Sequence, residues 1–395
     1  MKIVTKKLLN VFLIFLFVLT YESYGQNDEQ LMAKAKNLAQ EDLILDTHID
    51  LPYELDNEYY DVSIKEDKGH FDYQRAIDGG LNAAFMSIYI PTSYENNGAK
   101  AKADSLIDLV YNLTKKYPDK FILADSPEDV TKQFSRHRIS FPMGMENGAP
   151  IEGDLNNLKY FYDKGIRYIT LCHVKDNHIC DSSGDDTLMW NGLSPFGEKV
   201  VKEMNRLGIM IDIAHVADST FYDVIRLSKT PIIASHSGCR ALTPGYKRNM
   251  TDDMIKKLAN HGGVIQIYFG SYLVNNKIRK AIDRRDSLRK SYLADHPGLT
   301  KDEYNKQFPV GNATIKDVAD QIDHAVKIAG IDHVGFGSDF DGVGLLPDKL
   351  KDVSCYPNLI YELLKRGYGD EDIRKICSEN LLRVWSEVED YAHRN

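Results

Sequence analysis

The chain has 395 residues, 43% of them hydrophobic and 27% charged, with a formal net charge of −9. That is the make-up of an ordinary globular protein, long enough to bury a sizeable core as two average domains or one large barrel. The acidic balance, with no basic stripe, speaks against nucleic acid as a partner, because a phosphate backbone calls for clustered Lys and Arg.

The first 25 residues stand apart. Lys2, Lys6 and Lys7 precede an apolar run from Leu8 to Leu19, and Ser23-Tyr24-Gly25 supplies small residues ahead of Gln26. This is the layout of a secretory signal peptide, which leaves residues 26–395 as one exported domain, periplasmic or secreted. An uncleaved anchor is the alternative, but the run falls short of the ~20 residues a transmembrane helix needs, and no later stretch could span a bilayer. Cys172, Cys180, Cys239, Cys355 and Cys377 are odd in number and lack Cys-x-x-Cys spacing. Neither a zinc ribbon nor a disulfide framework is expected from them, although one or two bridges stay open in an oxidising compartment.

Asp28 to Gln40 reads as a helix of Ala, Leu, Lys and Glu. Eight short apolar runs then recur: Leu43–Asp50, Asn82–Ile90, Ile139–Glu146, Ile166–His173, Ile209–His215, Pro231–Ser237, Gly263–Phe269 and His333–Phe340. Segments of helical period separate them, such as Leu155-x-x-Leu158-x-x-Phe161-Tyr162. Strands alternating with helices predict a parallel sheet with right-handed crossovers, and eight units predict a closed (β/α)₈ barrel of the TIM type. An open doubly wound sheet is the alternative, but no Gly-rich phosphate loop follows the first strand. After the seventh run, Ser271 to Gly311 is a strongly charged insertion, read as a solvated face or a lid. From Tyr356 to Val388 two amphipathic helices are expected to close the barrel from outside.

The chemistry gathers at the strand ends. The first strand finishes in His48 and Asp50, the third in Glu146, the fourth in His173, the fifth in His215, the sixth near His236 and the eighth near Asp339. In a barrel the C-terminal strand ends share one mouth, so these residues become neighbours. Strand alternation puts His48 and Asp50 on one face, about 6.5 Å apart along the strand, with Asp46 one layer deeper on that face. His137 and His333 lie at the opposite ends of their strands and are read as packing or surface residues. Three imidazoles and two carboxylates exceed one tetrahedral centre and suit two zinc ions, or another divalent transition metal. Glu146 is the natural bridge, His48 and Asp50 completing one ion, His215 and His236 the other. A water between two such ions loses a proton near neutral pH and becomes a nucleophile. This is the design of a hydrolase.

At this point the chain resembles the membrane (renal) dipeptidase family of the amidohydrolase superfamily. The carrying stretches are Asp46-Thr47-His48-Ile49-Asp50-Leu51-Pro52, Gly144-Met145-Glu146-Asn147-Gly148, Ile211-Asp212-Ile213-Ala214-His215 and Ser235-His236-Ser237. They continue in Lys247-Arg248-Asn249-Met250-Thr251-Asp252-Asp253, in the run from His333 to Gly342, and in Glu379-Asn380-Leu381-Leu382-Arg383-Val384. The resemblance implies a binuclear zinc barrel that cleaves dipeptides, L,L and also L,D, by attack of a hydroxide bridging the two ions. It implies three further roles: His173 touches substrate and steadies the oxyanion, Arg248 grips the terminal carboxylate, and Asp339 moves the proton, with Asp341 its rival. Homodimers are common in the family, but no stretch here marks an interface. Cys172, the Val174–His178 segment, Asn147 and the long Ser271–Gly311 insertion depart from the family pattern around the pocket. Specificity is therefore more open than metal chemistry. A barrel hydrolase acting on lactones, phosphoesters or acylated amino acids, and a non-catalytic binding barrel, are the competing readings.

Overall fold

The computed structural model describes residues 28–134 and 138–395. The expected signal segment and His137 lie outside the described residues. Ten strands form: β1 Ile44–Ile49, β2 Leu81–Tyr89, β3 Phe121–Leu123, β4 Ile139–Phe141, β5 Met143–Glu146, β6 Ile166–Thr170, β7 Met210–Asp212, β8 Ile233–Ser237, β9 Val264–Ile267 and β10 Val334–Phe336. Every ladder is parallel. Neighbours run β1-β2-β5-β6-β7-β8-β9-β10, with β4 and then β3 branching from β2. No ladder joins β10 to β1. The gap is crossed instead by one bridge between Ile49 and Phe340, where Asp50 N–H donates to Phe340 O at 2.8 Å and Asp339 N–H to His48 O at 3.1 Å. This is the predicted TIM-type barrel, with its last seam stitched by loop residues.

The crossovers form helices for local reasons. In Pro195–Leu207 the Ser194 side chain accepts from Gly197 N–H, Pro195 fills the first helical position, and Gly208 ends the helix at φ 79°. These are the preferred cap, start and stop residues of a helix. Val200, Val201 and Met204 fall on one stripe, which is buried.

Three departures from the expected strands have identifiable causes. The run Ile139–Glu146 is split at Pro142, which has no N–H to give a ladder; its carbonyl still accepts from Met86 N–H. The first half pairs with β3, a strand too short to show periodicity. In β1 the partners step from Asp46↔Ala84 to Ile49↔Met86, three residues against two. This bulge breaks the alternation on which the reading of Asp46 rested. Asp46 accepts from the backbone N–H groups of His48 and Ser338 and from the Tyr356 hydroxyl, so it braces the seam rather than the His48 ring. Finally, β6 and β7 stop three residues before His173 and His215, which therefore stand on loops just past the strand ends.

Inside the barrel a column of rings runs upward: Trp385 lies 5.2 Å from Phe85, Phe85 5.2 Å from Tyr168, and Tyr168 6.4 Å from His48. Gly144 makes room for Tyr168, because a Cβ there would sit about 2 Å from the phenol ring. Trp385 comes from the last helix, Asn380–Arg394, whose Leu381, Val384, Trp385 and Val388 make an i, i+3, i+4, i+7 stripe packed with Leu45, Met210, Ile233 and Val264. The other tail helix, Tyr356–Lys365, packs through Tyr356 against Phe269, Phe336 and Phe340. The charged insertion is helical, Asn276–Asp295 and Lys301–Gln307; the longer helix buries no residue, and Tyr292 packs on Tyr304 and Phe308. No helix among the described residues is long and apolar enough to cross a membrane.

Candidate metal centre

The structure brings the five expected ligands to one rim of the barrel. His48 is near the end of β1, Asp50 just beyond it, Glu146 is the last residue of β5, and His236 lies in β8. His48 Nε2 stands 3.6 Å from Asp50 Oδ2 and 3.5 Å from Glu146 Oε2. The other oxygen, Glu146 Oε1, is 3.0 Å from His215 Nε2 and 3.4 Å from His236 Nε2, and these two nitrogens are 3.0 Å apart. Bonds of ~2.0–2.1 Å to a tetrahedral ion place ligand atoms roughly 3.4 Å from one another. The contacts of 3.5 and 3.6 Å on the His48 side and of 3.0–3.4 Å on the His215–His236 side are near that size, and Glu146 offers one oxygen to each side. His48 Nε2 and Asp50 Oδ1 are buried with no hydrogen-bond partner among the described residues. Buried polar atoms are rarely left so, and a cation between them satisfies both.

Hydroxyl groups settle which ring nitrogen faces inward. Tyr168 OH donates to Thr47 O at 3.1 Å, so at 2.8 Å from His48 Nδ1 it must accept that nitrogen's proton. His48 Nε2 is then the nitrogen turned toward Asp50 and Glu146. On the other side Ser235 Oγ donates to Asp212 Oδ2 at 2.6 Å and accepts from His236 Nδ1 at 2.8 Å, leaving His236 Nε2 free. Such outer partners orient metal-binding imidazoles and raise their basicity.

The electrostatics ask for positive charge. Burial, with Arg248 nearby, holds His215 and His236 well below the usual imidazole range, and burial lowers His173 too. His48 is the reverse: burial pulls it down, but Tyr168, Glu146 and Asp50 together lift it well above that range. Burial pushes Asp339 well above the carboxylate range, and the charges of Asp50 and Glu146 add to this against the pull of His48 and Arg248. Neutral imidazoles and crowded carboxylates are the donor set of a zinc-type ion.

A cavity of about 680 Å³ opens over this centre, lined among others by Asp50, Tyr89, Glu146, His173, His215, Arg248, Tyr272 and Asp339. His173 Nε2 is 3.6 Å from Glu146 Oε1, and its Nδ1 is buried and unpartnered. Arg248 donates through Nη2 to His236 O at 2.8 Å, while Nη1 is buried without a partner among the described residues. Asp339 Oδ1 is 4.0 Å from His48 Nε2. Its rival Asp341 is turned toward His70, whose backbone N–H donates to Oδ1 at 2.6 Å. Gly342 is needed beside them: a Cβ there would lie 2.1 Å from Asp50 Oδ2 and 2.5 Å from Asp339 Oδ1. Backbone strain concentrates here. His215, Asp339, Asp341 and Asn147 all have φ between 64° and 80°, a region costly for residues other than Gly and typical of functional sites. Asn147 tolerates it better than most residues, Asn being enriched in the left-handed region.

Sequence reading missed Tyr168, Asp212 and Ser235 as parts of the centre. The available signal was a polar residue inside an apolar strand, three residues before His215 for Asp212 and beside His236 for Ser235; for Tyr168 only the three-dimensional column reveals its reach to His48.

The sequence pattern that defines the membrane dipeptidase family, peptidase family M19, matches residues 32–395. The chain is 31% identical over 349 residues to dipeptidase tcpJ of Claviceps purpurea (strain 20.1), covering 85% of this chain and 74% of that one. Its fold matches the crystal structure of the probable dipeptidase PvdM from Pseudomonas aeruginosa with a TM-score of 0.81 at 30% identity, over 92% of this chain and all of the other. It also matches a metallopeptidase from Rhodobacter sphaeroides liganded with a phosphinate mimic of the dipeptide L-Ala-D-Ala, with a TM-score of 0.74 at 24% identity, over 87% and 99% of the two chains.

Proposed function

The chain belongs to the membrane dipeptidase family, peptidase family M19, and from that premise we propose that it hydrolyses dipeptides at a centre of two zinc ions shared by Glu146. The observation that carries this reading is the split of Glu146: one oxygen faces His48, the other faces His215 and His236. His48, Asp50 and Glu146 would hold one ion, and Glu146, His215 and His236 the other. Such ions, when bound, activate water as the nucleophile and polarise the scissile carbonyl.

The protein's own groups do the rest. Arg248 receives the substrate's terminal carboxylate on its unpartnered Nη1, with its guanidinium fixed by the bond to His236 O. His173, kept neutral by burial, presents an N–H to the oxyanion as the carbonyl carbon becomes tetrahedral, an interaction worth a few kcal/mol in comparable sites. Asp339 accepts a proton from the attacking water and returns it to the nitrogen of the leaving residue; its raised affinity for a proton suits that task. The water oxygen ends in the new carboxylate, and the leaving residue departs as a free amine. Residues 1–25 act as the export signal and residues 26–395 as a single hydrolase unit. The natural substrates would then be dipeptides met outside the cytoplasm, including those with a C-terminal D-residue.

Zinc-reconstituted protein incubated with a panel of L,L- and L,D-dipeptides, and with their C-terminal amides, tests the reading. Turnover of free dipeptides and poor turnover of the amides is expected. Hydrolysis of neither stereochemical class would remove it.

A further inference from the structure

Asp212 is buried, and among the described residues no ion pair reaches it. Its four partners are neutral donors: Oδ1 accepts from Ala214 N–H at 3.0 Å and Ser235 N–H at 2.8 Å, and Oδ2 accepts from Ser235 Oγ at 2.6 Å and from Thr170 Oγ1. Ser235 Oγ, which donates to Oδ2, also meets His236 Nδ1 at 2.8 Å, so one hydroxyl links Asp212 to a proposed ligand.

We propose that Asp212 is a positioning residue for the ion held by His215 and His236, acting through Ser235 to fix the His236 tautomer that turns its Nε2 lone pair inward. The inference rests on the two-ion reading above and adds residues to it. Asp212 accepts in all four of its bonds, so Ser235 donates to it. Ser235 Oγ then has only lone pairs left for His236 Nδ1, which must carry the ring proton. The same four bonds make an isosteric test possible. In Asp212→Asn the two backbone donors require an oxygen at the Oδ1 position, so the amide NH₂ falls where Oδ2 was. It then donates to Ser235 Oγ, whose own proton is free to turn to His236 Nδ1. That reverses the relay and puts a proton on Nε2, where the ion should bind.

The test is calorimetric titration of zinc into chelator-stripped wild type and the Asp212→Asn, Ser235→Ala and Ser235→Thr variants. Wild type should take up two equivalents. Asp212→Asn should weaken one of the two by roughly 10–100-fold, the range known for outer-sphere changes, with the other site unaltered. Ser235→Ala should weaken the same site less, because it removes the support without enforcing the wrong tautomer. Ser235→Thr keeps the hydroxyl and should restore near-wild-type affinity. If Asp212→Asn fails to fold, the contrast between Ala and Thr at position 235 decides alone. Two wild-type-like affinities in Asp212→Asn, or equal weakening by Ala and Thr, overturns the relay. Fewer than two equivalents in wild type overturns the two-ion reading instead.

Discussion

Arg248 and His236 are joined by a single hydrogen bond, Arg248 Nη2 to His236 O at 2.8 Å. The residue proposed to hold the substrate's carboxylate is thus fixed to the backbone of a residue proposed to hold an ion. That bond sets the distance between the charged end of a substrate and the centre, and it leaves Nη1 free. A hydrogen bond between charged groups contributes ~1.5–3 kcal/mol. Arg248→Ala should therefore lower kcat/KM on a free dipeptide by about 10- to 150-fold, and have little effect on the corresponding amide. Arg248→Lys should recover only part of the loss, because it keeps the charge but not the planar fork. Steady-state kinetics on paired acid and amide substrates check this; equal losses on both would show that carboxylate recognition lies elsewhere.

Glu146→Gln retains size but gives one acceptor oxygen and an NH₂ donor in place of two acceptors. One of the two triangles then meets a donor. Zinc content after reconstitution should fall to one equivalent or less, and activity to below about one-hundredth. Elemental analysis of the purified variant supplies the readout, and a variant retaining two ions would contradict the bridging assignment.

Tyr168→Phe removes the acceptor for His48 Nδ1–H and the donor to Thr47 O. The ion near His48 and Asp50 should bind about tenfold more weakly, with the other ion unaffected. Zinc titration of the variant tests this, and it is the counterpart on the first ion of the relay that runs through Ser235 on the second.

Acid should destabilise the metal-free protein in a particular window. His215, His236 and His173 are held below the ordinary imidazole value of 6.5 by burial. Below pH 6.5 they charge in the unfolded chain before they charge in the folded one, so the unfolded state binds more protons and stability falls as pH falls. His48, held above 6.5, keeps its proton in the folded chain while the unfolded chain gains one only as pH falls through 6.5, so it works in the opposite direction around neutral pH and adds little slope well below 6.5. Asp339, raised by burial, works in the opposite direction and offsets about one of the three imidazoles. A net loss approaching 2.7 kcal/mol per pH unit is the upper limit. Denaturant melts of chelator-stripped protein between pH 6.0 and 5.0 give the slope, and His236→Asn should reduce it by about half. A flat profile would mean that these rings are not buried neutral.

Trp385 supports the ring column from below. Trp385→Ala should cost ~3–5 kcal/mol, read as a lower urea midpoint with unchanged slope. The loss should exceed that of any substitution on the exposed helix Asn276–Asp295, which buries nothing.

The barrel and its ligand rim were legible because both rest on local pattern: eight apolar runs at helical intervals, six of them ending in or near His, Asp or Glu. Pro142 was visible too, but its effect depends on β3 reaching across to pair with Ile139–Phe141, which no local signal announces. The bulge in β1 arises where Asp46 is drawn to Ser338 and Tyr356, nearly 300 residues away in sequence. It left His48 and Asp50 near the centre but removed Asp46 from it. Ser235 adjoins His236 and Asp212 lies three residues before His215, yet their proposed relay depends on a side chain of one strand meeting its neighbour's. Such contacts follow from the assembled sheet and not from the periodicity of any one segment.

X-ray anomalous scattering at the zinc edge, on crystals of the reconstituted enzyme, tests the central claim most directly. Two peaks on either side of the Glu146 carboxylate are expected, one bonded to His48 and Asp50, the other to His215 and His236, each at ~2.0–2.2 Å from its ligand atoms. A single peak, or peaks that leave Glu146 outside both coordination spheres, would contradict it.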